Sequence, residues 1–160
     1  MTLIASVSGI RGTIGGEINQ NLTPVDVVAF AAAYGSWIKT KHHSATVVVG
    51  RDARISGPMV QSLVQQTLVS LGIDVIDVGL STTPTVEMEV VRKQAQGGII
   101  ITASHNPKQW NALKLLNNKG EFISADDGAE LMQYVSDQSY DFVGVDDLGK
   151  INVVTDALTA

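Results

Sequence analysis

A chain of 160 residues, 44% hydrophobic, 17% charged and 5% aromatic, can bury one sizeable core and is too apolar to stay disordered. The absence of cysteine excludes disulfides, thiol catalysis and thiolate metal sites, and suits a reducing cytoplasmic setting. A net charge of -5 with no lysine–arginine stripe argues against a nucleic-acid surface, and neither a membrane span nor a signal peptide is legible, so a cytoplasmic single domain is expected.

Thr23-Pro24-Val25-Asp26 predicts a helix start, with Thr23 as N-cap, Pro24 in the first turn and an acid beside it. Val28, Ala31, Ala32, Gly35 and Ile38 then recur on one face, the stripe that would pack on a sheet. His42-His43 follows, two adjacent side chains that diverge and suit a helix end better than a metal. Ala45 to Gly50 is a short β-branched run that reads as a buried strand ending at Arg51-Asp52. Ser56-Gly57-Pro58 opens a second helix with Val60, Leu63, Val64, Thr67, Leu68 and Leu71 inward and Gly72 as its stop.

Ile73 to Gly79 reads as the next strand, and Thr83-Pro84 begins a third helix reaching about Gln94. Gly97 to Thr102 is a strand apolar throughout, hence buried on both faces. Ala112 to Leu116 is expected to continue through the polar turn Asn117-Asn118-Lys119-Gly120 into Glu121-Phe122-Ile123, adding an antiparallel hairpin strand. Ser124-Ala125-Asp126-Asp127 caps a fourth helix to about Ser136. Strands alternating with helices predict an α/β fold, a three-layer α/β/α sandwich on a mostly parallel mixed sheet. No repeat interrupts it, and beyond Tyr140 the periodicity fades.

The most informative stretch is Gly97-Gly98-Ile99-Ile100-Ile101-Thr102-Ala103-Ser104-His105-Asn106-Pro107. An apolar strand gives way to small and polar residues where the chain leaves the sheet, the edge at which α/β sheets bind ligands. Ser104 there, beside His105 and before a proline, reads as a positioned nucleophile or phosphoryl carrier. The alternative is an ordinary strand exit in which serine and asparagine bond the backbone. Arg11 lies between Gly9 and Gly12, where the backbone can approach a ligand and a guanidinium can fork onto phosphate. No strand clearly precedes it, and no Gly-Lys-Ser/Thr follows to make a Walker loop. Arg51, Asp52 and Arg54 at a loop mouth brace backbone more readily than they do chemistry.

Three segments in order carry a resemblance. Thr102-Ala103-Ser104-His105-Asn106-Pro107 is similar to the active-site serine loop of the α-D-phosphohexomutases, Ser8-Gly9-Ile10-Arg11-Gly12 to their Gly-Ile-Arg-Gly signature, and Gly50-Arg51-Asp52-Ala53-Arg54 to their Gly-Arg-Asp-x-Arg loop. One departure is Ser8, where many members carry an acid or its neighbour.

The resemblance implies that Ser104 is stored as phosphoserine and exchanges its phosphate with a hexose or hexosamine phosphate through a bisphosphate. It implies that Lys114 is a general acid/base, although a lone lysine in a strand otherwise points to solvent. It places Arg11 and His105 on the phosphate and leaves Asn106, a substrate contact, and Pro107 to hold the turn. Mg²⁺ would bind Ser104 through its phosphate, with the other ligands from an Asp-x-Asp-x-Asp loop of a second domain; Asp126-Asp127 and Asp146-Asp147 do not match that spacing. The likeness covers only the first of the family's four domains. Residues 1–140 are therefore read as the phosphoserine domain and 141–160 as a linker toward a second domain, the chain by itself turning over little. Its partners would be a sugar phosphate and the family's remaining domains. A serine hydrolase would want a Gly-x-Ser-x-Gly elbow, which Ala103-Ser104-His105 does not provide, and a non-catalytic sugar-phosphate module is the other alternative.

Overall fold

The computed structural model describes residues 1–6 and 9–155; Ser8 lies outside them. The strands are β1 (Ile4–Ser6), β2 (Gly9–Thr13), β3 (Thr46–Arg51), β4 (Asp74–Leu80), β5 (Gly97–Ile101), β6 (Trp110–Leu116) and β7 (Ile151–Val153). The helices are α1 (Pro24–Lys41), α2 (Gly57–Ser70), α3 (Thr83–Arg92) and α4 (Ala125–Asp137). The strands form one sheet in the order β1-β2-β6-β5-β3-β4-β7. Pairing is parallel from β5 through β3 and β4 to β7 and antiparallel from β5 through β6 and β2 to β1. Five of the seven strands thus point the same way, with β1 and β6 reversed.

Period-two alternation along the central strands divides the core. Val47 and Val49 of β3 and Ile99 and Ile101 of β5 face α1, α2 and α4, whereas Val48 and Ile100 face Val86 and Val90 of α3. Helices therefore cover both faces, the three-layer α/β/α arrangement the alternation predicts. Helix α1 lies between α2 and α4, so Val27, Phe30, Tyr34 and Trp37 are buried in addition to the expected stripe, in which Val28 is only half-buried. The capping residues act as read: Thr23 with Asp26 and Ser124 with Asp127 each close a capping box. Ser56 caps no backbone group; its hydroxyl accepts instead from Asn111 Nδ2 at 2.8 Å.

Two expectations are corrected. Glu121–Ile123 is no strand, because Phe122 makes a single bridge to Leu116 before Ser124 turns the chain into α4. The antiparallel pairing comes from β6, β2 and β1 instead. Residues after Tyr140 pack on the domain: Val143 N–H donates to Ser70, Gly149 N–H to Val69, and β7 adds a parallel edge strand to β4. Lys39 Nζ fastens this segment, 2.7 Å from an Asp141 carboxylate oxygen and donating to the Leu71 carbonyl. No strand is legible before Arg11, yet β1 precedes it and Arg11 itself sits within β2.

Tyr34 reaches from α1 across the sheet. Its hydroxyl donates to Leu116 O at 2.6 Å and accepts from Gly98 N–H at 2.9 Å. Burial pushes this phenol far above its usual range. Tyr34→Phe should cost about 1–3 kcal/mol in denaturant unfolding, because it strands the Gly98 N–H in a dry interior. The pH dependence has a defined sign. The folded state keeps the phenolic proton where the unfolded chain has lost it, so this stability is complete below the ordinary tyrosine pKa of about 10 and falls as pH rises beyond it. The variant should lose that part of the alkaline fall.

Candidate active site around Ser104

Strand β5 delivers Ile101 fully buried, and the next residues break from the sheet. Ser104 adopts φ +52°, a left-handed backbone that an L side chain holds only when its surroundings impose it. Those surroundings are hydrogen bonds. Ser104 N–H donates to Thr102 Oγ1 at 3.1 Å, and the Thr102 hydroxyl donates to Asp52 Oδ2 at 2.6 Å. Asp52 N–H in turn donates to Ile101 O at 3.1 Å, tying the end of β3 to the end of β5. The turn itself is closed by main chain, Asn106 N–H donating to Ala103 O.

Arg54 completes the loop. Its Nη2 donates to Ser104 O at 2.9 Å and Asn106 O at 2.7 Å, and its Nη1 to Pro107 O at 2.8 Å and Trp110 O at 3.0 Å. Its Nε donates to Asp52 Oδ2 at 3.3 Å. Arg51 turns away, donating to Gln61 Oε1.

The register of β6 decides what faces the serine. Lys114 stands opposite Ile100, and Ala112 stands opposite Arg11, which puts Lys114 and Arg11 on the sheet face that α3 shares. Helix α3 packs on β3 and β5 and covers Leu116 of β6, while Arg11 and Lys114 on the same face line a cavity. Lys114 Nζ donates to Ser104 Oγ at 2.7 Å there. The cavity, about 340 Å³, is lined by Arg11, Ser104, His105, Asn106, Ala112 and Lys114 with Gly9, Thr102 and Ala103. Three of these side chains are basic and none is a carboxylate. The nearest acid in the hydrogen-bond network, Asp52, is already shared between Thr102 and Arg54. A second hollow, about 250 Å³ and apolar, lies on the opposite sheet face between Ile10, Leu115 and α4, away from this chemistry.

Ser104, Lys114, Arg11, His105 and Asn106 therefore converge on one cavity, while His42 lies elsewhere, beside Gln94 and Asn118. Among the described residues no three His, Asp or Glu side chains are grouped to hold a metal. The residues lining this cavity, basic and without a carboxylate, do not by themselves suit a magnesium ion. Arg54 braces backbone as expected of an arginine at a loop mouth, and the backbone it braces is that of the serine loop.

The family model for the phosphoglucomutase/phosphomannomutase α/β/α domain I matches residues 3–141. The chain belongs to this family. A phosphoglucomutase/phosphomannomutase from Thermococcus kodakarensis is 41% identical over 112 residues, covering 68% of this chain and 25% of the relative. A phosphoglucosamine mutase from Natranaerobius thermophilus is 32% identical over 151 residues, covering 94% of this chain and 33% of the relative. Among solved structures, a phosphoglucomutase/phosphomannomutase family protein from Burkholderia thailandensis superposes with a TM-score of 0.75 at 26% identity, over 94% of this chain and 33% of that one. The chain thus spans about a quarter to a third of the length of these phosphohexomutase relatives.

Proposed function

We propose that Ser104 is the phosphoryl carrier of a phosphohexomutase reaction, which moves phosphate between the 1- and 6-positions of a hexose or hexosamine. The observation that carries this reading is the 2.7 Å contact of Lys114 Nζ with Ser104 Oγ inside a basic, carboxylate-free cavity. A phosphoserine dianion there would meet an ammonium and a guanidinium with no competing acid, the preorganised charge that phosphoryl transfer requires.

In the transfer, the P–Oγ bond of phosphorylated Ser104 breaks as a sugar hydroxyl oxygen bonds to phosphorus. The Lys114 ammonium gives its proton to the departing Oγ, and the proton lost by the attacking hydroxyl restores it. The bisphosphate so formed returns its other phosphoryl group to Oγ, which leaves the sugar with its phosphate moved. Arg11 holds phosphate oxygens, and His105 and Asn106 flank them. Relatives about three times as long as this chain support a reading in which sugar selection and the remaining magnesium ligands come from other domains. The lack of cysteine suits a cytoplasmic location.

Intact mass after incubation with a hexose 1,6-bisphosphate tests the reading. One added phosphate, mapped to Ser104 and absent from Ser104→Ala, is expected. Phosphate on Thr102, or uptake that persists in Ser104→Ala, would sink it.

A further inference from the structure

Arg54 has five N–H donors, and all five are spent inside the protein. Three go to main-chain carbonyls of the single loop that carries Ser104, one to that of Trp110 at the start of β6, and the fifth goes to Asp52. The side chain is 12% exposed, so the guanidinium is shielded from bulk solvent. An arginine engaged in this way has no donor left for a substrate phosphate. Its effect on chemistry must pass through the backbone it grips.

We propose that Arg54 is a positioning residue, holding Ser104 in the left-handed conformation that aims Oγ at Lys114 and the cavity. Ser104 is held at both ends of its main chain. Arg54 takes its carbonyl, while Thr102 Oγ1, itself held by Asp52, takes its N–H. Asp52 Oδ1 also accepts from Arg54 N–H at 3.1 Å, so brace and anchor form one closed network. Nothing in the serine's own φ of +52° favours this pose. Released, the loop would relax toward commoner backbone angles and swing Oγ off its 2.7 Å contact with Lys114. A planar fork is needed because the carbonyls of Ser104, Asn106, Pro107 and Trp110 converge on one point, and lysine's three donors cannot satisfy all four.

This inference rests on the carrier role of Ser104, and the experiment separates the two. Arg54→Lys in the whole chain is compared with wild type for amide exchange at Ser104 and for the rate of phosphate uptake from glucose 1,6-bisphosphate, each per folded molecule. Exchange at Ser104 should quicken by about tenfold or more. The maximal uptake rate should fall by about tenfold or more while the half-saturating concentration holds. Should Arg54→Lys not fold, Thr102→Val removes the acceptor of the Ser104 N–H, leaves the guanidinium in place, and should move both readouts the same way. Exchange and maximal rate both at wild-type values would overturn the proposal. Wild type that takes no phosphate on Ser104 would overturn the carrier reading alone, since the exchange measurement still decides the brace.

Discussion

Lys114→Met should slow phosphoryl transfer at Ser104 by about a hundredfold or more, the usual loss when a positioned acid or base is removed. Methionine keeps the length and the apolar stem but cannot donate to Oγ, which Lys114 Nζ meets at 2.7 Å. The departing serine oxygen would then leave as an alkoxide with no proton at hand. The fold should survive, because Lys114 is half-buried on the cavity face of β6 and its methylenes are replaced in kind. Thermal unfolding alongside the rate of phosphate uptake from a hexose bisphosphate checks both halves. An unchanged rate per folded molecule would return Lys114 to a solvent-facing lysine.

Arg11→Ala should reduce kcat/KM for the same transfer by roughly ten- to a hundredfold, comparable to losing one preorganised donor. Arg11 is exposed on β2, opposite Ala112, and lines the cavity two residues along the sheet face from Lys114. No core contact is lost, so unfolding should shift little. Arg11→Lys should recover only part of the loss, since an ammonium grips phosphate as a point charge and cannot fork. A large fall in melting temperature with kinetics intact would make Arg11 a brace for β2 instead.

Much of this architecture was legible before any coordinates. Thr23-Pro24 and Ser124 announced their helices because caps act over three or four residues of local chain. The valines of β3 and the isoleucines of β5 announced buried strands for a similar reason, since burial on both faces demands apolar residues in succession. The serine loop was legible because Ser104, His105, Asn106 and Pro107 are contiguous.

What failed to show were features whose partners are distant in sequence. Strand β7 is three residues long and earns its place only through β4, some seventy-five positions earlier, so its own pattern carries little signal. Glu121–Ile123 has strand-like residues but no neighbour beyond one bridge, and pairing, not propensity, makes a strand.

The amino-acid sequence by itself determined the layer order, the caps and the candidate serine loop around Ser104, because each depends on periodicity or on adjacent residues. Tertiary structure alone decided that Lys114 reaches Ser104, that Arg11 shares its face, and that Arg54 grips three carbonyls of the serine loop and the carbonyl of Trp110. Those relations follow from strand register and sheet order, in which a shift of one residue on β6 would turn Lys114 to the opposite face.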